Sequence, residues 1–329
     1  MIIETSAPTR IDLAGGTMDI WPLYLFHPGA QTLNAAISIR ARARIEPNPE
    51  GRILLRSIDT NAVQEAARWQ DLREAPALKL LALLVHGFQV DGITVTTSSE
   101  SPAGAGIAGS SALNVAVAAA LAEWTGRQIE PEALLQIAMN VEAQVIGVPT
   151  GVQDYRPALY GGVAAVELGI EGVRRVPLEI DQPELERRLV LCYTGEPHNS
   201  GTNNWEITKR HIDGDRHVFD CFERIRDTAA RMRECLIAGD WDGVGTAIND
   251  EWANRQRLAP GVTTPAIDAL IARARRAGAT AAKVCGAGGG GCLFCYGPPS
   301  ARTAIAEALA SGGARLLGFT FDTRGLVRG

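Results

Sequence analysis

Three stretches of this chain carry residue types at spacings suited to chemistry. The first runs from Ser98 to Leu121, SSESPAGAGIAGSSALNVAVAAAL. A glycine-rich loop passes straight into an apolar helix. Glycines let backbone N–H groups come close to an anion, and a helix start adds unpaired donors and a partial positive charge. Phosphate suits such a loop, and the Ser110 and Ser111 hydroxyls stand where one could hold Mg²⁺ beside it. The competing explanation is a Gly/Ser turn that only caps a core helix. Gly104, Gly106 and Gly109 also satisfy G-x-G-x-x-G, the dinucleotide fingerprint. That motif needs a strand close before it and an acid about 20 residues on, ending the next strand. Here Pro102 and a long loop precede it, and Glu123 falls inside the expected helix. No G-x-x-x-x-G-K-[ST] run occurs either.

The second stretch is Asn140 to Gly162, NVEAQVIGVPTGVQDYRPALYGG. Glu142 lies on an otherwise apolar helix, and Asp154 follows a Gly/Pro loop. Carboxylates so placed can bind a cation or accept a proton. An acid on a helix is more often solvated, and an Asp beside a loop is often a cap. The third stretch is Lys283 to Cys295, KVCGAGGGGCLFC. Gly286 and Gly288 to Gly291 cannot hold a regular strand or helix, and a loop so free of side chains lets something large approach. Cys292 and Cys295 form C-x-x-C with Leu293 and Phe294 between them and no second Cys/His pair at zinc-finger spacing. Buried strand thiols account for them better than zinc.

These stretches need elements to hold them. Ile2, Ile3, Ile11 and Leu13 around Pro8 and Arg10 read as strand, loop, strand, followed by a glycine turn at Ala14 to Thr17. Alternation of Ile37, Ile39, Ala41, Ala43 and Ile45 predicts a half-buried strand over 35–45. Short strands are expected over 53–58 and 92–97, and helices over 75–88, 110–124 and 131–146, the last with Pro131 at its start. Further strands are expected over 161–167, 188–194, 281–285, 292–296 and 316–321. Helices are expected over 204–237 with a break at 213–215, and over 240–258, 264–277 and 300–310. Strands and helices mix without a strict βα repeat, which points to an α+β fold. The Pro and charge content near Glu179 to Glu184 suggests two domains, residues 1–182 and 183–329.

A length of 329 residues exceeds what one compact core usually serves. Hydrophobic residues at 46% and charged residues at 21% fit a soluble globular chain, and a net charge of -5 gives no reason to expect nucleic-acid binding. No apolar run is long enough to span a bilayer. Met1 to Asp12 lacks the basic-then-apolar pattern of a secretion signal, so the six cysteines are expected to be reduced, in the cytoplasm.

Together with the N-terminal APTRIDLAGGTMDIWPLY, the three stretches resemble the GHMP kinases, the family of galactokinases, homoserine kinases, mevalonate kinases and phosphomevalonate kinases. The N-terminal stretch is similar to that family's first motif, PAGAGIAGSSAL to its second and phosphate-binding motif, and KVCGAGGGGC to its third. The motifs fall in the family's order across residues 7 to 296. Within the family, the likeness is greatest to the D-glycero-D-manno-heptose 7-phosphate kinases and fucose-type sugar kinases. Pro8, Arg10, Ile11, Ala14, Gly15, Gly16 and Asp19 match the first motif of that branch. Glu142, Gly147, Gly151, Gln153, Asp154, Tyr160, Gly161 and Gly162 follow its acidic motif. Three features depart from it. Ala108 stands for a glycine, Gly109 for the first serine, and Tyr155-Arg156 where Gln and Tyr are expected.

The resemblance implies a two-domain GHMP kinase fold, with an N-terminal domain like domain 2 of ribosomal protein S5 and a ferredoxin-like C-terminal domain. ATP and Mg²⁺ are the implied cofactors. ATP would lie against Pro102, Gly104, Ala105, Gly106, Ile107, Ala108, Gly109, Ser110, Ser111 and Gly288, and Mg²⁺ on Ser110 and Glu142. Asp154 and Arg10 are the implied catalytic residues. Arg10, Asp19, Asn34, Asp154, Gly286 and Gly288 are the implied substrate contacts. The implied reaction phosphorylates a sugar or sugar phosphate at the anomeric hydroxyl, giving a 1-phosphate. A mevalonate-type kinase and a non-catalytic ATP/sugar sensor are the alternatives. A distal phosphate on the substrate would need cations, for which Arg156, His198, Lys209 and Arg210 are candidates. The expected partner is a small molecule, with no nucleic acid or membrane, and the expected state a monomer or homodimer.

Overall fold

The computed structural model describes residues 1–73, 77–197 and 200–329. In chain order its strands are β1 (Ile3–Ala14), β2 (Gln31–Pro47), β3 (Ile53–Ser57), β4 (Ala62–Ala66), β5 (Ile93–Ser99), β6 (Val163–Gly169) and β7 (Gly172–Pro177). Then follow β8 (Leu189–Tyr193), β9 (Ala281–Val284), β10 (Cys292–Tyr296), β11 (Arg315–Leu317) and β12 (Val327–Arg328). The helices are α1 (Lys79–Phe88), α2 (Gly109–Trp124), α3 (Pro131–Ile146), α4 (Tyr155–Tyr160) and α5 (Gln182–Arg187). In the second half they are α6 (Ser200–Ile212), α7 (Arg216–Ala238), α8 (Trp241–Leu258), α9 (Pro265–Arg276) and α10 (Arg302–Ser311).

Two sheets organise these elements, and the fold is α+β. The first has eight strands in the order β12-β1-β2-β5-β3-β4, with β6 also paired to β2 and β7 to β6. The second has four antiparallel strands in the order β11-β8-β10-β9. The chain crosses from one sheet to the other through α5. It comes back at its end, where Phe321 bridges Ile37 and β12 pairs with β1.

β1 was expected as two strands flanking a loop and is one strand of 12 residues. Its register against β2 shifts between Pro8 and Thr9, a bulge that accommodates a residue without an N–H to give the ladder, and pairing resumes at Thr9. A second shift between Asp12 and Ala14 turns the chain into the Gly15-Gly16 loop. β2 is longer than the alternation alone predicts. Its first residues pair with β6 and its last with β5, so one strand ties both ends of the sheet together. α1 begins at Lys79, and residues 75 and 76 of the expected helix lie outside the described residues. The expected break at 213–215 separates α6 from α7, where the Asp215 carboxylate accepts from the His217 and Val218 N–H groups. The strand expected over 316–321 is only the three residues of β11.

α2 sets the geometry of the site. Its sequence is rich in alanine and leucine, strong helix formers, and is apolar on every side. Such a helix belongs in an interior, and Asn114 to Ala122 are all buried. It lies on β1 and β2 with α1, α3 and α4 around it. A second core cluster joins Ile11, Leu33 and Ile37 of the first sheet to Met232 and Ile248 of α7 and α8 and to Phe294 of the second sheet. The seam between the sheets is therefore packed.

Candidate active site

A cleft of about 400 Å³ opens at the start of α2, between the 99–109 loop, the 149–154 loop, the turn after β1 and the start of the 286–291 loop. Its floor on one side is the N-terminus of α2. Ala108, the residue before the helix, has φ 62° and ψ 36°, and no side chain caps the end. An uncapped start to a 16-residue helix leaves N–H donors and the positive end of the macrodipole facing the cleft. Pro102, Gly104, Ala105, Gly106, Ala108, Gly109 and Ser110 line this side, whereas Ile107 and Ser111 are buried behind it. Gly106 has φ +72°, and a Cβ there would lie 2.6 Å from the Cys285 carbonyl oxygen. The 102–108 loop and the 286–291 loop thus sit back to back, and the Cys292 N–H donates to the Ala105 carbonyl at 2.7 Å.

What approaches the third glycine stretch is mostly the chain's own backbone. A Cβ at Gly288 would meet the Val262 carbonyl at 2.5 Å, and one at Gly291 the Ala105 carbonyl at 2.7 Å. Gly286 and Ala287 reach the cleft, and Gly288 is not among its lining residues. Cys292 and Cys295 are buried, unpaired and pack into different core clusters.

Glu142 lies near the end of α3, and its carboxylate meets the start of α2. Oε1 accepts from the Ser110 hydroxyl at 2.5 Å, and Oε2 from the Ser111 hydroxyl at 2.9 Å and the Tyr155 hydroxyl at 2.8 Å. Burial pushes its pKa up, against the pull of those three hydroxyls. Asp154 precedes α4 and is partly open, its side chain 26% exposed. Arg10, buried in β1, donates from Nε at 3.0 Å and Nη2 at 2.6 Å, both to Asp154 Oδ1. Its Nη1 donates to the Gly106 carbonyl at 2.8 Å, so one guanidinium spans the carboxylate and the glycine loop. Burial works against that charge, but Asp154 and Asp12 outweigh it and hold the Arg10 pKa above its ordinary value.

Asp19 is buried, and its Oδ2 accepts from the Gln153 N–H at 2.9 Å. A Cβ at Gly151 would lie 2.1 Å from that oxygen, so a side chain there would push the carboxylate aside. Burial, and then the charge of Asp154, push the Asp19 carboxyl up to about 6. Arg10, Asp19, Glu142, Asp154, Ser110 and Gly286 all line the one cleft.

Asn34 is not brought to it. It pairs with Asp12 across the β1–β2 ladder, donates to the Thr32 hydroxyl at 2.9 Å, and is buried beside Arg156 and Arg175. The candidate cations for a distal phosphate are engaged elsewhere. Arg156 binds Glu132 and the Val152 carbonyl, Lys209 pairs with Glu206, and Arg210 with Asp215. His198 lies outside the described residues. Arg255 lines the cleft instead.

Arg255 belongs to a buried charged group that the motifs do not reveal. Lys283 Nζ donates to Asp12 Oδ2 at 2.9 Å and stands 3.7 Å from Glu251 Oε1. Asp12 Oδ1 accepts from the Gly286 N–H at 3.1 Å, and Glu251 Oε1 from the Gly15 N–H at 3.1 Å. Arg255 Nη2 donates to the Thr17 hydroxyl at 3.0 Å and the Gly286 carbonyl at 2.6 Å. Burial raises the Asp12 carboxyl, but Lys283, Arg10 and Arg255 outweigh it and hold it below the ordinary range. For Glu251 burial prevails, and its pKa is raised. The sequence signal was a charged residue inside an apolar strand, Asp12 in RIDLA and Lys283 in AAKV, since such residues are almost never buried unless paired.

The profile for "GHMP kinases N terminal domain" matches residues 73–162, and that for "GHMP kinases C terminal" matches residues 232–315. The chain belongs to the GHMP kinase family. It is accordingly an ATP-dependent small-molecule kinase. A D-glycero-alpha-D-manno-heptose 7-phosphate kinase of Campylobacter jejuni is 27% identical over 98% of both chains. A mevalonate kinase of Thermococcus sibiricus is 25% identical over 95% of this chain and 94% of its own. A bifunctional L-fucokinase/L-fucose-1-P guanylyltransferase of Bacteroides fragilis is 25% identical over 98% of this chain, which spans 38% of that longer protein. Among solved structures, a D-glycero-D-manno-heptose 1-phosphate kinase from Bacteroides thetaiotaomicron superposes with a TM-score of 0.79 at 23% identity, covering 99% of this chain and 98% of its own. That likeness establishes the shared two-domain fold of this GHMP kinase. No helix among the described residues is long and apolar enough to cross a membrane.

Proposed function

We propose that this kinase transfers the γ-phosphoryl group of ATP to the anomeric hydroxyl of a sugar or sugar phosphate, giving a sugar 1-phosphate. The Arg10–Asp154 pair carries the proposal. Both guanidinium bonds fall on Asp154 Oδ1, and no donor among the described residues reaches Oδ2. That oxygen is left to accept the hydroxyl proton of the acceptor. The anomeric hydroxyl is the most acidic in a free sugar, so one positioned carboxylate suffices to orient and deprotonate it. Phosphoryl transfer otherwise needs alignment and charge neutralisation. The ATP phosphates would lie at the 102–109 loop and the uncapped start of α2, where backbone donors already point. Arg10 joins that loop to Asp154 and would face the charge that develops between donor and acceptor.

Mg²⁺ fits the residues present. No cluster of three or more Asp, Glu, His or Cys able to hold a metal occurs among the described residues. Mg²⁺ does not need one, because it is commonly held by one or two carboxylates together with substrate phosphates and water. Ser110 and Glu142 supply hard oxygens beside the phosphate loop and would hold it, where it neutralises phosphate charge. At the acceptor end Asp19, Gln153, Thr17, Asn204 and Arg255 give the cleft a polar lining that favours a polyhydroxylated ligand. The similarity to a heptose 7-phosphate kinase and to a fucokinase supports the same class. Donor and acceptor would meet between two domains, residues 1–182 and 183–329, and the six unpaired cysteines agree with a reducing, cytoplasmic setting.

The test is an ATP-consumption screen over aldoses, sugar 6- and 7-phosphates, mevalonate and homoserine, followed by phosphorus NMR of the product. Coupling of the phosphate to the sugar's first proton is expected. Turnover of mevalonate, a primary phosphate ester, or no ATP consumption with any acceptor would each overturn the proposal.

A further inference from the structure

The two oxygens of Glu142 have unlike surroundings. Oε1 accepts from Ser110 alone, at the cleft wall. Oε2 accepts from two buried hydroxyls, those of Ser111 and Tyr155. A carboxylate oxygen offers about two lone-pair sites, so these two donors fill Oε2. Tyr155 is 0% exposed and cannot swing away, and Thr150 Oγ1 lies 3.3 Å from its hydroxyl, on hand to orient it. Tyr155 stands where similar sugar kinases are expected to carry glutamine, so this arrangement belongs to the chain's own sequence.

We propose that Tyr155 is a positioning residue for the divalent cation: with Ser111 its hydroxyl occupies Glu142 Oε2, so that Glu142 offers the cleft one oxygen only. This rests on the proposed role of Glu142 as a metal ligand. The consequence is ion selectivity. Mg²⁺ is small, strictly octahedral, and satisfied by single carboxylate oxygens completed by phosphate and water. Ca²⁺ takes more oxygens and readily binds a carboxylate through both. A glutamate whose second oxygen is engaged suits Mg²⁺ and denies Ca²⁺ its second contact. Removing the tyrosine hydroxyl frees that oxygen and loosens the carboxylate at the same time.

The experiment measures binding of Mn²⁺, a paramagnetic substitute for Mg²⁺, by electron paramagnetic resonance. The full chain is held with a non-hydrolysable ATP analogue, and Mg²⁺ and Ca²⁺ are the competitors. No sugar is needed, so the result does not depend on the acceptor. Tyr155→Phe should weaken Mn²⁺ and Mg²⁺ binding about 10-fold or more, the usual loss when a group that orients a metal ligand is removed. Ca²⁺ should weaken less, so the Mg²⁺/Ca²⁺ ratio narrows. Ser111→Ala removes the other donor to Oε2 and should narrow the ratio in the same direction, which keeps the test open should Tyr155→Phe not fold. Loss of metal binding in Glu142→Gln, with wild-type affinities and selectivity in Tyr155→Phe or, if that does not fold, in Ser111→Ala, would overturn the role of Tyr155 alone. Wild-type metal binding in Glu142→Gln would overturn the metal site itself, and this inference with it.

Discussion

Asp19 should make the protein less stable at neutral pH than it would be without that charge. Burial first, and Asp154 second, lift its carboxyl from 3.8 to about 6, and the Gln153 N–H and Arg10 only partly offset them. An acid whose folded pKa is raised binds its proton more tightly in the folded chain. Folding is favoured while both states are protonated, and stability is lost as pH rises from 3.8 through about 6. Integrating over that window gives a loss of roughly 1 kcal/mol at about pH 4.5 and about 3 kcal/mol at about pH 7.5. Asp19→Asn carries no charge at either pH, and its carbonyl oxygen can still accept from the Gln153 N–H. Its stability relative to wild type should therefore improve by about 2 kcal/mol between those two conditions. Urea unfolding of both proteins at both values measures this, and the double difference cancels the titrating groups that do not interact with Asp19. A change below about 0.5 kcal/mol would refute the reasoning, since the carboxyl would then titrate alike in both states. The charge is worth keeping only if it meets a ligand, and the Asn variant should also bind the acceptor more weakly.

Two further outcomes can be stated from single contacts. Asp154→Asn should lower turnover roughly 10²-fold or more while leaving nucleotide affinity near normal, because Asp154 touches Arg10 and not the phosphate loop. Steady-state rates and calorimetric titration with ATP measure the two, and near wild-type turnover would remove Asp154 from the chemistry. Ala108→Gly should raise stability by about 0.5–1 kcal/mol, since relief of about 1–2 kcal/mol of left-handed strain exceeds the entropy glycine loses on folding. The thermal midpoint reads this as a rise of roughly 1–3 °C, and a fall would mean that the backbone at φ 62° is not strained.

The motifs were legible because each is local. The loop ahead of α2, the carboxylate on α3 and the Asp before α4 are recognisable from a dozen residues each, and folding brings their contents to one cleft. The starts of α2 and α3 were read to within a residue, because a glycine loop leads straight into one and Pro131 opens the other. Asn34 was read only from a resemblance to sugar kinases, one residue ahead of the strand expected over 35–45. A resemblance does not say which way a side chain turns, and Asn34 is packed beside Arg156, away from the cleft. Arg156 looked available two positions from Asp154. On α4 that step carries it around the helix to Glu132. The glycines of the third stretch announced a close approach but not its partner, which is largely the chain's own backbone.

The charged group of Asp12, Glu251, Arg255 and Lys283 was hidden for another reason. Its members lie as many as 271 positions apart, and no single segment holds a pattern. Burying two acids and two bases is weak evidence of stability, because desolvation consumes most of what the pairs return. Position is the better account of them. Asp12 accepts from the Gly286 N–H, Glu251 from the Gly15 N–H, and Arg255 binds both Thr17 and the Gly286 carbonyl. Each bond ends on the turn after β1 or on the 286–291 loop, so the group fastens two glycine-rich loops, at all but Thr17 through their backbone. Asp12 lies two residues from Arg10 on the same face of β1 and adds to the field that keeps that guanidinium charged. The residues proposed to meet ATP and acceptor can then be few and local, because a group assembled from distant parts of the chain holds in place the two loops that border their cleft.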